Sequence, residues 1–321
     1  MRYEAPLDSA LVDELMDLWL PIFEDGIDLT REALLGEEVP HSTITVYTRR
    51  IAGKLAGACL VASSPALPGL GGLGEVATTS DARRTGIATA LTQQALGDFE
   101  EHGGRALFLG TVNPAAARIY HRLGWRKLAG ANLMLNVLNR ESPEEFIVDY
   151  FRRIRGETVS VRAPSPADRA PIIPLLVAPH DWQALDFNTG MMSIRYAVQD
   201  SCLGLYRRYA AIASDGRGAW FCADTDKGHV LGLSTARLDA KGGCRVDGFT
   251  HSYHADAWQA LIQAAIRWGV ENGATHVYAD VSVEDEEKRS KFESVGLSDA
   301  GSGDPFDLSG RQVGTRRLQL T

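Results

Sequence analysis

The chain has 321 residues, 45% of them hydrophobic, which is enough for one large core or two medium ones, and two domains is the usual division at this length. A net charge of -8 argues against a general nucleic-acid binder, which carries a basic surface. The four cysteines, Cys59, Cys202, Cys222 and Cys244, are scattered and form no CxxC pair, which speaks for reduced thiols and against a disulfide framework or a zinc site.

No apolar run approaches the ~20 residues that cross a bilayer. The opening Met1-Arg2-Tyr3-Glu4 leads into a charged amphipathic helix and lacks the pattern of a signal peptide. The expectation is a soluble cytoplasmic protein, monomer or homodimer, with neither a nucleic acid nor a membrane as partner.

Residues 8–23 are expected to form a first helix, with Asp8 or Ser9 as N-cap and Leu11, Leu15, Leu18, Trp19 and Ile22 on one face. The acidic loop Glu24-Asp25-Gly26-Ile27-Asp28 follows, suited to an amine or simply to solvent, and then a short helix over Thr30–Leu35. Ser42–Tyr47 and Lys54–Ala62 read as strands. Gly69-x-Gly71-x-x-Gly74 matches a dinucleotide-binding fingerprint in form, but a strand pattern follows it, so it reads as a flexible loop between strands.

From Leu73 the residue types suit a strand ending at Thr79, and Ser80-Asp81-Ala82 is a polar turn. Arg83-Arg84-Thr85-Gly86-Ile87-Ala88 then runs into a helix with Ile87, Leu91, Ala95 and Phe99 in steps of four. A glycine turn leading into a helix points unpaired backbone N–H groups at an anion, and the helix dipole adds roughly half a positive charge. A phosphate or pyrophosphate cradle is one reading of this turn, and an ordinary exposed connection is the other. Ala106–Thr111 is an apolar strand, and Asn113-Pro114 starts a helix with Ala116, Ile119, Tyr120 and Leu123 on its apolar face. Two strand candidates lie in Arg126–Val137, and a linker helix opens at Ser142.

From Thr158 the organisation repeats. Val159–Arg162 reads as a strand and Pro166-Ala167-Asp168 as a helix start. Tyr209–Ala213, Ala219–Ala223, Val230–Leu238 and Cys244–Phe249 read as a sheet of hairpins. Asp256–Glu271 is an amphipathic helix with Trp258, Leu261, Ile262, Ala265, Ile266 and Val270 on one face. Strand His276–Val281 and helix Asp285–Val295 complete the copy, in which His251-Ser-Tyr-His254-Ala stands where Arg83–Ala88 would be. His251 and His254 with Asp256 lack evident third and fourth metal ligands, and no metal is expected. Pro179-His180-Asp181-Trp182 reads as a capped turn with a buried tryptophan, or as the lining of an inter-domain cleft.

Arg83-x-x-Gly86-x-Ala88 between a strand and a helix resembles the Q/R-x-x-G-x-G/A signature of the GCN5-related N-acetyltransferases (GNAT). Asn113-Pro-Ala-Ala116-Ala-Arg-Ile-Tyr120-His-Arg-Leu-Gly124-Trp125 is similar to that family's second motif, and the resemblance covers roughly residues 10–137. It implies an α/β (α+β) fold in which each domain is a mixed, mostly antiparallel sheet flanked by helices. The division is 1–140 for an acetyl-CoA-binding catalytic domain, 141–157 for a linker helix and 158–321 for a degenerate copy.

The same resemblance implies acetyl-CoA as cosubstrate and a small-molecule amine as acceptor. The pyrophosphate would lie on Arg83, Arg84, Thr85, Gly86, Ile87, Ala88 and Thr89, and the pantetheine arm along Val76, Ala77 and Thr78, with Asn113, Ala116 and Tyr120 beside it. Tyr120 is the expected general acid, since a phenol of pKa about 10 can protonate a departing thiolate. Glu75 is the expected base, with Glu24 or Asp25 as alternatives, because Phe23, Glu24 and Asp25 lie in the loop that borders the acceptor pocket in this family. A non-catalytic acyl-CoA-binding or sensing module is the competing reading, and it requires neither Tyr120 nor a carboxylate near the thioester.

Overall fold

The computed structural model describes residues 1–139 and 141–320, without the side chain of Asp25. Its first half runs β1 (Arg2–Glu4), α1 (Ser9–Phe23), α2 (Arg31–Leu35), β2 (Thr43–Ile51), β3 (Lys54–Ser64), β4 (Leu67–Thr78), α3 (Ile87–Glu101), β5 (Ala106–Gly110), α4 (Pro114–Arg122), β6 (Arg126–Lys127) and β7 (Leu133–Val137). Helix α5 (Pro143–Arg153) leads to β8 (Val159–Arg162), α6 (Ile172–Val177), β9 (Ala184–Asp186), β10 (Met191–Met192) and α7 (Gly204–Ala210). The chain ends with β11 (Gly218–Thr225), β12 (Val230–Leu238), β13 (Gly243–Thr250), α8 (Ala257–Glu271), β14 (His276–Ser282), α9 (Glu286–Ser294), β15 (Leu297–Leu308) and β16 (Arg311–Leu320).

Two seven-stranded sheets result. From corresponding edges their orders are β1-β2-β3-β4-β5-β7-β6 and β8-β11-β12-β13-β14-β16-β15. Each contains one parallel pair, β4 with β5 and β13 with β14, and the other neighbours are antiparallel. The topology is therefore repeated strand for strand. Helices α3 and α8 cross between the parallel strands, and α4 and α9 follow them, in corresponding places.

Local chemistry accounts for the helices. Asp8 Oδ1 caps α1 through Ala10 N–H at 2.9 Å, and Leu11, Val12, Leu15, Leu18 and Trp19 are its buried face. Ile22, expected on that face, is exposed because the helix is ending there. In α3, Ile87, Leu91, Ala95 and Phe99 are buried as their spacing requires. Helix α8 buries Trp258, Leu261, Ile262 and Ala265, while Val270 in its last turn faces outward. Ser142 and Glu145 form a capping box at the start of α5. That helix is no loose linker, since Phe146, Ile147, Tyr150 and Phe151 are buried.

Three expectations fail, and one element is not anticipated from the sequence. The glycine-rich stretch 68–74 is not a loop but the first part of β4. Its glycines make room for neighbours: a Cβ at Gly71 would lie 3.0 Å from Phe99, and one at Gly72 would overlap Leu203. Tyr209–Ala213 is not a strand, because Leu205 and Tyr209 turn inward four apart along α7, and short apolar runs do not distinguish the two periods. Pro166–Asp168 makes a single 3-10 turn, with α6 starting only at Ile172. The long β15–β16 hairpin has no clear pattern because it is polar and glycine-rich and broken by bulges.

The halves share a core. One cluster joins Leu60, Ala106 and Phe108 of the first sheet to Phe151, Leu175, Leu203 and Phe249. A second cluster lies under α3 and α4 and includes Cys59, Leu107, Tyr120 and Trp125. Arg169, almost fully buried, bonds both carboxylate oxygens of Glu38 across the halves, at 2.6 and 2.5 Å. The four cysteines are unpaired and buried. Among the described residues no helix is long and apolar enough to cross a membrane.

Candidate active site

Strands β4 and β5 pair only at Leu70–Ala106, Gly71–Leu107 and Gly72–Phe108. Beyond Gly72 they part, while β4 continues to Thr78 and β5 to Gly110. The β5-facing edge of β4 over Val76, Ala77 and Thr78 is thus open, as a sheet edge that can take an added strand. Thr78 Oγ1 is buried without a hydrogen-bond partner among the described residues, beside Gly57 of β3.

On the other edge of β4 the ladder to β3 slips, from Ala58–Ala77 to Leu60–Gly74, so Glu75 and Val76 together oppose Cys59. This is a β-bulge, a device that re-aims a side chain. Glu75 adopts φ +48, a left-handed conformation that costs a non-glycine residue of order 1 kcal/mol or more. The bulge holds the Glu75 carboxyl in the interior, only 6% exposed. Its Oε1 accepts the Asp28 N–H at 2.7 Å, and its Oε2 has no partner among the described residues. Burial, and then the charge of Asp28, push the Glu75 carboxyl up to about 8, against the backbone hydrogen bonds from Asp28 and Leu29. Burial raises Asp28 to about 6, opposed by Arg169 and Arg207.

These groups face a cavity of about 170 Å³ lined by Phe23, Gly26, Asp28, Leu73, Gly74, Glu75, Gly110 and, from the second half, Asp200, Ser201 and Cys202. Of the loop residues expected at the acceptor, Phe23 reaches this cavity and the exposed Glu24 does not line it, while the Asp25 side chain lies outside the described residues. Asp28, in the same acidic loop, takes the place expected for them. Asp200–Cys202 carry no signal in the sequence, since only the packing of the halves brings them here.

The turn before α3 opens toward solvent. Ser80–Ala82 forms a 3-10 turn, Arg83 and Arg84 are exposed, and Arg84 and Gly86 have φ of +65 and +89. Gly86 is the N-cap of α3 and supplies no side-chain cap, so the N–H groups of Ile87, Ala88 and Thr89 begin the helix uncapped. A Cβ at Gly86 would point into open space. Among the described residues no side chain caps these N–H groups.

Helix α4 is capped by Asn113, whose Oδ1 accepts from Ala115 N–H at 2.9 Å and Ala116 N–H at 3.4 Å. The cap occupies Oδ1 and leaves Nδ2 as the group that can reach outward. Ala116 is half-buried, and Tyr120 is buried with its ring 6.2 Å from that of Trp125. Trp125 in turn donates to Leu107 O at 3.0 Å. Burial raises the Tyr120 phenol above its usual range, with a smaller contribution from Cys59. The Cys59 thiol is itself raised by burial and then by Glu75. Cys59, opposite the bulge, packs in the same buried cluster as Tyr120.

The second half lacks the bulge, the arginine–glycine turn and the tyrosine. Its β12–β13 ladder runs unbroken from Gly232–Thr250 to Leu238–Cys244, without a bulge. Only Ala255 and Asp256 separate its 3-10 turn from α8, so the arginine–glycine turn is deleted, not replaced. Phe292 holds the place in α9 that Tyr120 holds in α4.

Strands β13 and β14 also part after three pairs, but the chain fills their wedge. Fully buried Lys288 pairs with Asp247 at 2.6 Å and donates to Ala184 O and Leu185 O at 2.8 and 3.1 Å. Phe187 N–H bonds Asp247 at 2.7 Å, and Gln183 N–H bonds Asp285 at 2.9 Å. Segment 183–187 is thereby laid between the strands. His180, Asp181 and Trp182 line a small cavity of about 70 Å³ with His251, inside the second half and not between the halves. Among the described residues no three His, Cys, Asp or Glu side chains group as metal ligands.

Comparison with known proteins gives these geometries a family. The model of the acetyltransferase (GNAT) family matches residues 10–125. No curated protein matches the chain. Among solved structures, a chimera of the Vibrio cholerae spermidine N-acetyltransferase SpeG and hSSAT is similar with a TM-score of 0.40 and 17% identity, over 50% of this chain and 94% of that one. A GNAT-family acetyltransferase from Streptococcus pneumoniae is similar with a TM-score of 0.38 and 14% identity, over 50% of this chain and 98% of that one. Residues 10–125 of this chain are an acetyltransferase domain of the GNAT family.

Proposed function

We propose that the first half moves an acetyl group from acetyl-CoA to a primary amine by direct attack, with one active site per chain. The observation that carries this reading is Glu75, a strained, buried carboxyl lining the cavity beside an open strand wedge, with one oxygen unpartnered among the described residues. The uncapped start of α3 and the exposed Arg83 and Arg84 fit a pyrophosphate, and the open edge of Val76–Thr78 fits an amide-bearing arm. Acetyl-CoA supplies an acyl thioester there.

Glu75 Oε2 accepts the proton that the attacking amine must lose. Tyr120, kept protonated by burial, donates its hydroxyl proton to the departing sulfur. Cys59 and Cys202 stay neutral thiols because burial raises both, so neither serves as a nucleophile.

Residues 1–140 are the catalytic unit in this reading, 141–157 the connecting helix and 158–321 a copy whose cofactor wedge is closed by its own chain. Four buried free thiols agree with work in a reducing cytoplasm. The test is thiol release from acetyl-CoA in the presence of primary amines. Amine-dependent release supports the reading, and tight acetyl-CoA binding without turnover across a broad amine panel contradicts it.

A further inference from the structure

The second half reaches the candidate pocket with one short segment. Gln199 bridges to Ala131 in parallel fashion, and Asn132 donates its backbone N–H to Gln199 O at 2.6 Å. Asn132 also donates its side-chain amide to Asp200 Oδ1 at 2.6 Å. These bonds hold Asp200 at the rim of the cavity, and Leu203 behind it is seated against Gly72 and Gly74 of β4.

The wall that results carries three carboxylates, Asp28, Glu75 and Asp200, and no arginine or lysine is among the described residues that line it. Glu75 makes this more than an acidic cluster, because this residue of the wall is buried and its Oε2 has no partner among the described residues. The three charges are not equivalent. Arg169 and Arg207 offset Asp28, and Glu75 takes up the proton that the amine releases. Asp200 pairs with a neutral amide and with no cation among the described residues.

Resting on the acetyl-transfer reading above, we infer that the acceptor is a compact molecule with two cationic groups, such as a short aliphatic diamine, and that Asp200 is the specificity residue holding the ammonium that is not acetylated. One nitrogen forms the new N–C bond as the thioester C–S bond breaks, its proton passing to Glu75 while the sulfur takes one from Tyr120. The second ammonium keeps its charge, so Asp200 remains neutralised in both substrate and product.

The test uses the full chain with acetyl-CoA and matched probes of three to six carbons: an α,ω-diamine, the n-alkylamine and the ω-amino acid. The expected order of kcat/KM is diamine, alkylamine, amino acid, with the best diamine at least ~10-fold ahead, the equivalent of one ~1.4 kcal/mol contact. Asp200→Asn is expected to raise KM for that diamine about tenfold while leaving kcat, and the alkylamine KM, within about twofold. Asp200→Glu, which keeps the charge, restores most of the preference. Equal KM values for diamine and alkylamine, or the same rise for both in Asp200→Asn, overturn the inference and leave acetyl transfer standing. No turnover of any probe while calorimetry still registers acetyl-CoA binding overturns the transfer reading and the inference with it.

Discussion

At the scale of the residue, the proposed chemistry turns on Glu75. A base must be deprotonated to act, and this carboxyl is raised to about 8, so kcat/KM should fall as pH drops through about 8. A pH–rate profile checks this, and Glu75→Gln should remove both the limb and most of the rate. The same shift sets a stability term of opposite sense. Between the ordinary value of 4.5 and about 8 the folded chain keeps a proton that the unfolded chain has lost, so this group lowers stability as pH rises through that window. Glu75→Gln removes that penalty, and its melting temperature should gain on the wild type as pH rises from 5 toward 8. Tyr120→Phe keeps the packing on Trp125 and removes only the hydroxyl. Turnover should drop by ~10²–10⁴ with acetyl-CoA affinity unchanged, and an unchanged kcat would reduce Tyr120 to packing.

Elements give these side chains their positions. Gly86, at φ +89 with open space where a Cβ would stand, meets a backbone requirement, and in the proposed function a ligand requirement as well. Gly86→Val should raise KM for acetyl-CoA at least ~10-fold in steady-state kinetics, with the amine KM little changed. Gly72 is different, because its missing Cβ makes room for Leu203, and Gly72→Ala should cost ~1–3 kcal/mol in denaturant unfolding through overpacking.

The contrast explains what can be read from the chain. The turn Arg83–Ala88 and the capped helix from Asn113 are legible because their signals are local: a glycine before an apolar period, and an Asn-Pro start. The bulge is a matter of register between β3 and β4, so the sequence identifies Glu75 only as a carboxylate on the right strand. The glycines of β4 resemble a loop because the residue that fills their space, Leu203, comes from the other half of the chain. Asp200 is invisible in the sequence for the same reason.

At the scale of the whole molecule, two copies of one topology differ at the wedge. The first keeps an open wedge, while the second has closed its own with segment 183–187, pinned by Lys288 between Asp247 and two carbonyls. What the second half gives in return is support for the loop that carries Asp28: Arg169 holds Glu38 and donates to Asp28 O at 3.3 Å, and Arg207 bonds Ile27 O. Arg169→Ala strands Glu38 at the junction and should destabilise the chain by about 3 kcal/mol in denaturant unfolding, with a loss of activity in the first half.

The proposed division of labour is tested most directly by calorimetric titration of the full chain with acetyl-CoA. One equivalent should bind per chain, and binding should weaken at least ~10-fold in Gly86→Val while that variant stays folded. Two equivalents, or binding indifferent to Gly86→Val, would contradict a single site at the head of α3.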